Sequence, residues 1–201
     1  GREPETMPEA RNGRLATIEA DLKNAEVRVL AALSGDSALI AAVRESDMHR
    51  AVAAQVFQVP VHEVTDHQRS VDKSFLFGAA YFAGPDTLAA STKVTVDHAK
   101  AVLMALNRAF PVAFEFMNAT KREALAKGYV STFLGRRRRP SGLYSPDQGV
   151  REKALRQAGN SVIQGTAAEV CYAGWLRSMH RLRKAGLDAY AEAQVHDSVL
   201  Y

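Results

Sequence analysis

Arg69, Lys73, Phe77 and Tyr81 recur every four residues in the segment DHQRSVDKSFLFGAAYFAGP. On a helix each step of four turns through about 400°, so each side chain drifts about 40° from the one before. The spacing predicts one slowly winding face, two cations followed by two aromatics. Such a face can hold a polyphosphate at one end and stack a flat base at the other. Taken alone, the spacing favours a plainer arrangement: an amphipathic helix with two solvated cations and two core aromatics.

Two carboxylates offer different chemistry. Asp21 closes a strand-like stretch, and Asp197 sits at the turn of a hairpin near the end of the chain. If those strands are neighbours in one sheet, the carboxylates approach each other and repel. A divalent cation relieves that repulsion. Hard oxygen ligands suit Mg²⁺ or Mn²⁺, and two such ions can activate an attacking oxygen and stabilise a leaving one in phosphoryl transfer. Taken singly, each aspartate is an ordinary turn or cap residue.

The elements that must position these groups are mostly helical. A strand is expected over residues 15–22. Helices follow over 24–34, with Asn24 as cap and Gly35 as stop, then over 36–46 and 47–57. The helix bearing the four-residue face is expected from Asp66 to Phe82, ended by Gly84-Pro85. Two more cover 96–110 and 112–127, separated by Pro111. Residues 129–134 read as a strand, 141–149 as a loop, and 150–184 as one or two helices ended by Gly186. Residues 187–195 read as a strand, His196-Asp197 as a tight turn, and 198–201 as the start of a returning strand. That last strand is short for a natural terminus, so a fragment of a longer chain is expected.

Composition narrows the class. The chain has 201 residues, 47% hydrophobic and 24% charged, which suits a globular protein with a real core. No apolar run is long enough to span a bilayer, and no membrane partner is expected. A single cysteine, Cys171, excludes an internal disulfide and suits a reducing compartment, so a cytoplasmic protein is expected. Six scattered histidines offer no zinc spacing. The net charge of +4 is concentrated in part in the run Arg136–Arg139 after Gly135, next to an apolar stretch. A basic balance suits a polyanionic partner.

Five stretches together resemble the polymerase core of the family A DNA polymerases. ADLKNAEVRVLAALSGD (20–36) resembles the family's first motif and RSVDKSFLFGAAY (69–81) its fingers-helix motif. YVSTFLGRRRRP (129–140) and REKALRQAGNSVIQGTAAEV (151–170) resemble two further stretches, and QVHDS (194–198) the last motif. All five occur in family order.

The resemblance implies an α+β fold, with mostly helical fingers inserted into a palm that has a small antiparallel sheet. The palm would combine residues 11–46 with 129–201, and the fingers would be 47–128. Residues 1–10 remain unplaced. It implies a monomeric, template-directed DNA polymerase that binds primer–template DNA and dNTP. The thumb and any proofreading exonuclease would lie outside this chain. Asp21, Asp197 and the backbone carbonyl of Leu22 would hold two Mg²⁺ (or Mn²⁺) ions. Arg69, Lys73 and His49 would grip the triphosphate. Phe77 would pack on the sugar and base, and Tyr81 would stack at the template position. Glu26 would obstruct a ribose 2′-hydroxyl, with Arg28 as an alternative salt-bridge partner. Arg156, Asn160 and Gln164, again spaced by four, would read the minor groove. Arg136 and Arg137 would contact the DNA backbone, and His196 would sit beside the primer terminus.

Four positions depart from the family pattern: Ser198 for Glu, Leu76 for Asn, Ser70 for Arg, and Phe82 for Gly. The last implies a stiffer Tyr81, with Gly84 as the hinge. A single-subunit RNA polymerase shares this palm, but Glu26 argues against it. A nucleic-acid-binding module without catalysis is the other alternative.

Overall fold

The computed structural model describes residues 18–187, 193–195 and 198–200. The described residues of Gly1–Lys23 and Cys171–Tyr201 form one compact unit, and Asn24–Val170 forms the other. Among the described residues no helix is long and apolar enough to cross a membrane.

The larger unit is built from helices whose ends are written in the sequence. Helix α1 (Ala25–Ser34) stops at Gly35, whose φ of 70° is left-handed. Asn24 precedes α1 but makes no side-chain cap; it adopts φ 56° instead. Asp36 begins α2 (Ser37–Ala42), which ends four residues before the expected Ser46. Helix α3 (Met48–Phe57) is capped by Asp47. Helix α4 (Asp66–Ala80) opens on a capping box, in which Gln68 N donates to Thr65 Oγ1 and Thr65 N donates to Gln68 Oε1.

Gly84 and Pro85 were expected only to end α4. They also start α5 (Pro85–Thr92), a helix the sequence reading missed. Helices α6 (Val96–Ala109) and α7 (Pro111–Lys127) follow, with Pro111 as the first residue of α7 rather than a spacer. Residues 148–184 form one helix, α8 (Gln148–Lys184), about 55 Å long at 1.5 Å per residue.

Phe75, Leu39, Met48, Val52, Leu88, Leu106, Phe110 and Ile163 make the main core of this unit, between α1–α7 and α8. Buried Asp36 joins two helix starts inside it. Its Oδ1 accepts from Ala38 N and Leu39 N, and its Oδ2 accepts from Val112 N and Ala113 N at 3.1 Å each. Four N–H groups at two positive helix ends satisfy a carboxylate that burial alone would penalise.

A second cluster, Ala124, Val130, Leu143, Ala154, Ala158 and Val162, lies between α7, α8 and a small hairpin. The expected strand over 129–134 is only β2 (Val130–Ser131), paired antiparallel with β3 (Arg137–Arg138). The missing half is a turn: Thr132 N donates to Arg136 O and Gly135 N to Thr132 O.

In the smaller unit β1 (Glu19–Asp21), β5 (Ser198–Leu200) and β4 (Ala193–Val195) form an antiparallel sheet in the order β1-β5-β4. The pairing of β1 with β5 meets the condition set for the two carboxylates.

Candidate nucleotide and nucleic-acid site

The four-residue face of α4 lies beside the core rather than in it. Phe75, Leu76, Ala79 and Ala80 take the buried positions, while Arg69, Phe77 and Tyr81 are half-buried and Lys73 is exposed. The plainer arrangement, with Phe77 and Tyr81 as core aromatics, does not hold. The core aromatic of this helix is Phe75, at 0% exposure. Leu76, one of the departures from the family pattern, is a core residue.

Other helices bring partners to that face. Arg69 Nε donates to Asp47 Oδ2 at 2.8 Å. Asp47 Oδ1 meanwhile caps α3 by accepting from Arg50 N. Partial burial pulls the Asp47 carboxyl upward. The Arg69 and Arg50 N–H bonds and the two positive charges outweigh it and hold the carboxyl below its ordinary range. The same contact raises the Arg69 guanidinium above its ordinary value. The contact uses Nε, and no hydrogen bond from the two terminal nitrogens of Arg69 is found among the described residues. Arg50 continues the network to Val64 O and to Asp66 Oδ1, tying the start of α3 to the start of α4. His49, the second residue of α3, is buried, with its ring centroid 5.5 Å from that of Phe77. It is not an ordinary surface histidine. Tyr81 Oη donates to Glu26 Oε1 of α1 at 2.8 Å.

Phe82 corrects the expectation about Gly84. Gly84 is extended, at φ −80°. The left-handed turn belongs to Phe82, at φ 60°. Tyr81 is the C-cap of α4 rather than an interior residue; Phe82 N donates to Ala79 O and Ala83 N to Gly78 O. This is a Schellman cap with a phenylalanine where glycine is usual. That conformation costs roughly 1–2 kcal/mol, and full burial of the ring offsets it by roughly 1.5–3 kcal/mol.

Two cationic regions lie on the hairpin and α8. Arg136, Arg137, Arg138 and Arg139 are all exposed. Arg137 and Arg139 stand over the Tyr129 ring at 4.8 and 5.6 Å, and Arg136 Nε lies 3.9 Å from Glu169 Oε1. The hairpin turn is fastened to α8. Glu169 accepts from Thr132 Oγ1 and Leu134 N, and Thr166 Oγ1 accepts from Phe133 N. Glu169 and Thr166 were missed as positioning residues; their only signal was a polar pair inside an apolar helical segment. On α8, Arg156 and Asn160 are half-buried and Gln164 is exposed. Asn160 Oδ1 is buried without a hydrogen-bond partner among the described residues. Burial first, then the charge of Arg156, depresses the nearby Lys121 ammonium, with Glu152 opposing.

In the sheet, Asp21 is exposed at the end of β1 and pairs with Ser198. Leu22 follows it, also exposed. Asp197 and His196 lie outside the described residues. Among those described, no group of three or more His, Cys, Asp or Glu forms a metal-binding cluster.

A family model described as DNA polymerase family A matches residues 5–201. The chain belongs to DNA polymerase family A. DNA polymerase I of Pseudomonas aeruginosa is 34% identical over 184 residues, 91% of this chain and 20% of the relative. DNA polymerase I of Mycobacterium tuberculosis is 35% identical over 191 residues, 94% and 21% respectively. The thermostable DNA polymerase I of Thermus thermophilus is 34% identical over 186 residues, 92% and 22% respectively. Among solved structures, the POL domain of Pol1 from M. smegmatis, in complex with DNA primer-template and dNTP, matches with a TM-score of 0.84 and 34% identity. That match covers 92% of this chain and 33% of the other. The chain spans about a fifth of the length of these curated relatives. Both the family and the α+β class agree with the sequence reading.

Proposed function

We propose that this chain is the palm and fingers portion of a template-directed DNA polymerase, which adds deoxynucleotides to a primer 3′ end. The fingers are residues 47–128, between palm segments 11–46 and 129–201. The observation that carries the reading is the convergence on one face of α4. His49 from α3 and Glu26 from α1 meet Arg69, Phe77 and Tyr81 there, so cation, aromatic and carboxylate chemistry lies along one strip.

The roles follow from the side chains. The terminal nitrogens of Arg69, the Lys73 ammonium and His49 bind the triphosphate. Phe77, half-buried and backed by His49, offers its ring to the sugar and base. Tyr81 stacks at the template position. Glu26, held by Tyr81, occupies the space a 2′-hydroxyl would need and favours deoxynucleotides. Arg156, Asn160 and Gln164 read the minor groove. Arg136 and Arg137 contact the DNA backbone, and His196 sits beside the primer terminus.

Asp21, Asp197 and the Leu22 carbonyl suit two Mg²⁺ or Mn²⁺ ions. The donors are hard oxygens, and the register of β1 with β5 pairs Asp21 with Ser198, the residue after Asp197. When bound, such ions supply activation of the primer hydroxyl and neutralisation of charge on the triphosphate. The solved relative named above was obtained with primer-template and dNTP, which supports the same partners here; a monomer acting in the cytoplasm is part of the proposal.

Primer extension by the full polymerase containing this chain tests the reading. Extension with Mg²⁺ and dNTPs is expected. A preference for rNTPs, or no extension at all, contradicts it.

A further inference from the structure

Phe82 carries a ring where its backbone asks for none. A glycine would close the same Schellman cap at φ 60° without steric cost. A residue held in a sparsely populated conformation persists when its surroundings over-determine it. Here the surroundings are α8. A Cβ built on Gly159 would lie 2.4–2.5 Å from three carbons of the Phe82 ring, closer than any real contact. Gly159 is therefore a notch and Phe82, at 3% exposure, the knob that fills it. Lys121 Nζ of α7 stands over the same ring, 5.5 Å from its centroid.

The neighbours of this joint give it consequences. Asn160 follows Gly159 directly, and Arg156 lies three residues before it on α8. Tyr81 precedes Phe82 and bonds to Glu26 on α1. Two consecutive residues thus fasten the end of α4 to two helices: Tyr81 to α1, and Phe82 to the stretch of α8 that carries Arg156 and Asn160.

We propose that Phe82 is a positioning residue whose ring, seated on Gly159, couples the nucleotide face of α4 to the primer–template face of α8. This rests on the polymerase reading above. The ring makes the end of α4 a fixed point, so that any swing of α4 pivots at its end and displaces its capped start. Tyr81, next to that fixed point, keeps its place over the template only while the knob is seated. Coupling of this kind requires a contiguous packed contact, and the Phe82–Gly159 pair supplies one.

A double-mutant cycle in the full polymerase tests this, with Phe82→Gly, Gly159→Ala and the double variant compared to wild type. The readouts are kcat and KM for matched and mismatched dNTP, primer–template affinity, and melting temperature. Phe82→Gly keeps the backbone turn. It is expected to raise KM for matched dNTP and reduce discrimination against mismatched dNTP by about threefold to thirtyfold, with primer–template affinity little changed. Gly159→Ala is expected to be worse, because its methyl evicts the ring. The double variant should recover to the level of Phe82→Gly, since the methyl then meets no ring. Wild-type KM and discrimination in Phe82→Gly would overturn the proposal, as would a Gly159→Ala defect that persists in full in the double. If the wild type itself fails to extend a primer, the polymerase reading falls and this inference falls with it. If the wild type extends and the cycle is additive, only this inference falls.

Discussion

Tyr81 Oη donates a 2.8 Å hydrogen bond to Glu26 Oε1, joining the end of α4 to the first turn of α1. The bond fixes a half-buried aromatic beside a carboxylate that would otherwise sample many rotamers. On the proposed polymerase reading, nucleotide sugar choice would depend on both residues. Glu26→Ala is expected to raise rNTP relative to dNTP incorporation by about tenfold or more, the scale of a lost steric and desolvation penalty. Tyr81→Phe keeps the ring and removes the bond, and should move the ratio in the same direction by less. Single-nucleotide incorporation assays with dNTP and rNTP read both. An unchanged ratio in Glu26→Ala contradicts the assignment.

The Asp47–Arg69 pair gives a second prediction. Asp47→Asn still caps α3, because Asn is a good N-cap, but it removes the charge that orients Arg69. KM for dNTP is expected to rise several-fold, about 1 kcal/mol of binding, with a smaller change in kcat. Steady-state kinetics across a dNTP series measures the split; a fall in kcat alone would count against it.

The same pair has a pH signature. The folded Asp47 carboxyl sits below its unfolded value, near 3.8. Its contribution to stability is therefore fully present above about pH 4 and lost as pH falls through the lower folded value. Both side chains are more than a third exposed, so screening holds the effect under about 1 kcal/mol. Melting curves of wild type and Asp47→Asn should differ at pH 6 to 7 and converge toward pH 3. A constant difference over that range contradicts the assignment.

The sequence made much of this frame readable, for physical reasons. Helix ends at Gly35, Asp47 and Pro111 follow from residues that favour one local geometry. The stripe on α4 follows from a fixed period. The pairing of β1 with β5 was only a condition of the carboxylate argument, because Glu19, Ala20 and Asp21 form no apolar pattern that demands a neighbour. The parts that stayed hidden depend on contacts distant in sequence. Asp36 looked like one helix start, yet it serves a second helix 75 residues later. Arg137 and Arg138 looked like a charge run and are a strand paired with β2. Phe82 looked like a stiffened helix end; its left-handed backbone and the seat of its ring on Gly159 are visible only in the fold.

Asp36 leads to a stability prediction. Asp36→Ala leaves four N–H groups at two helix starts, two of them buried, without their acceptor. A loss of about 2–4 kcal/mol is expected, the sum of two caps in a buried setting. Urea denaturation measures it, with Asp36→Asn intermediate. A loss under about 1 kcal/mol would mean the bonds are replaced by water.

The hairpin arginines should act on DNA through charge alone. Arg136→Ala and Arg137→Ala are each expected to weaken primer–template binding evenly across sequences. Each should also lower the slope of log affinity against log salt by about 1. Salt titrations on two unrelated duplexes read this; a sequence-dependent loss contradicts backbone contact.

The central claim is that Asp21 and Asp197 together hold the metal ions for nucleotide transfer. Single-turnover incorporation by the full polymerase with Mg²⁺, comparing wild type with Asp21→Ala and Asp197→Ala, tests it most directly. The account predicts that both variants keep primer–template affinity and lose rate by on the order of a thousandfold, about 4 kcal/mol of transition-state stabilisation. Incorporation at the wild-type rate in either variant would contradict it.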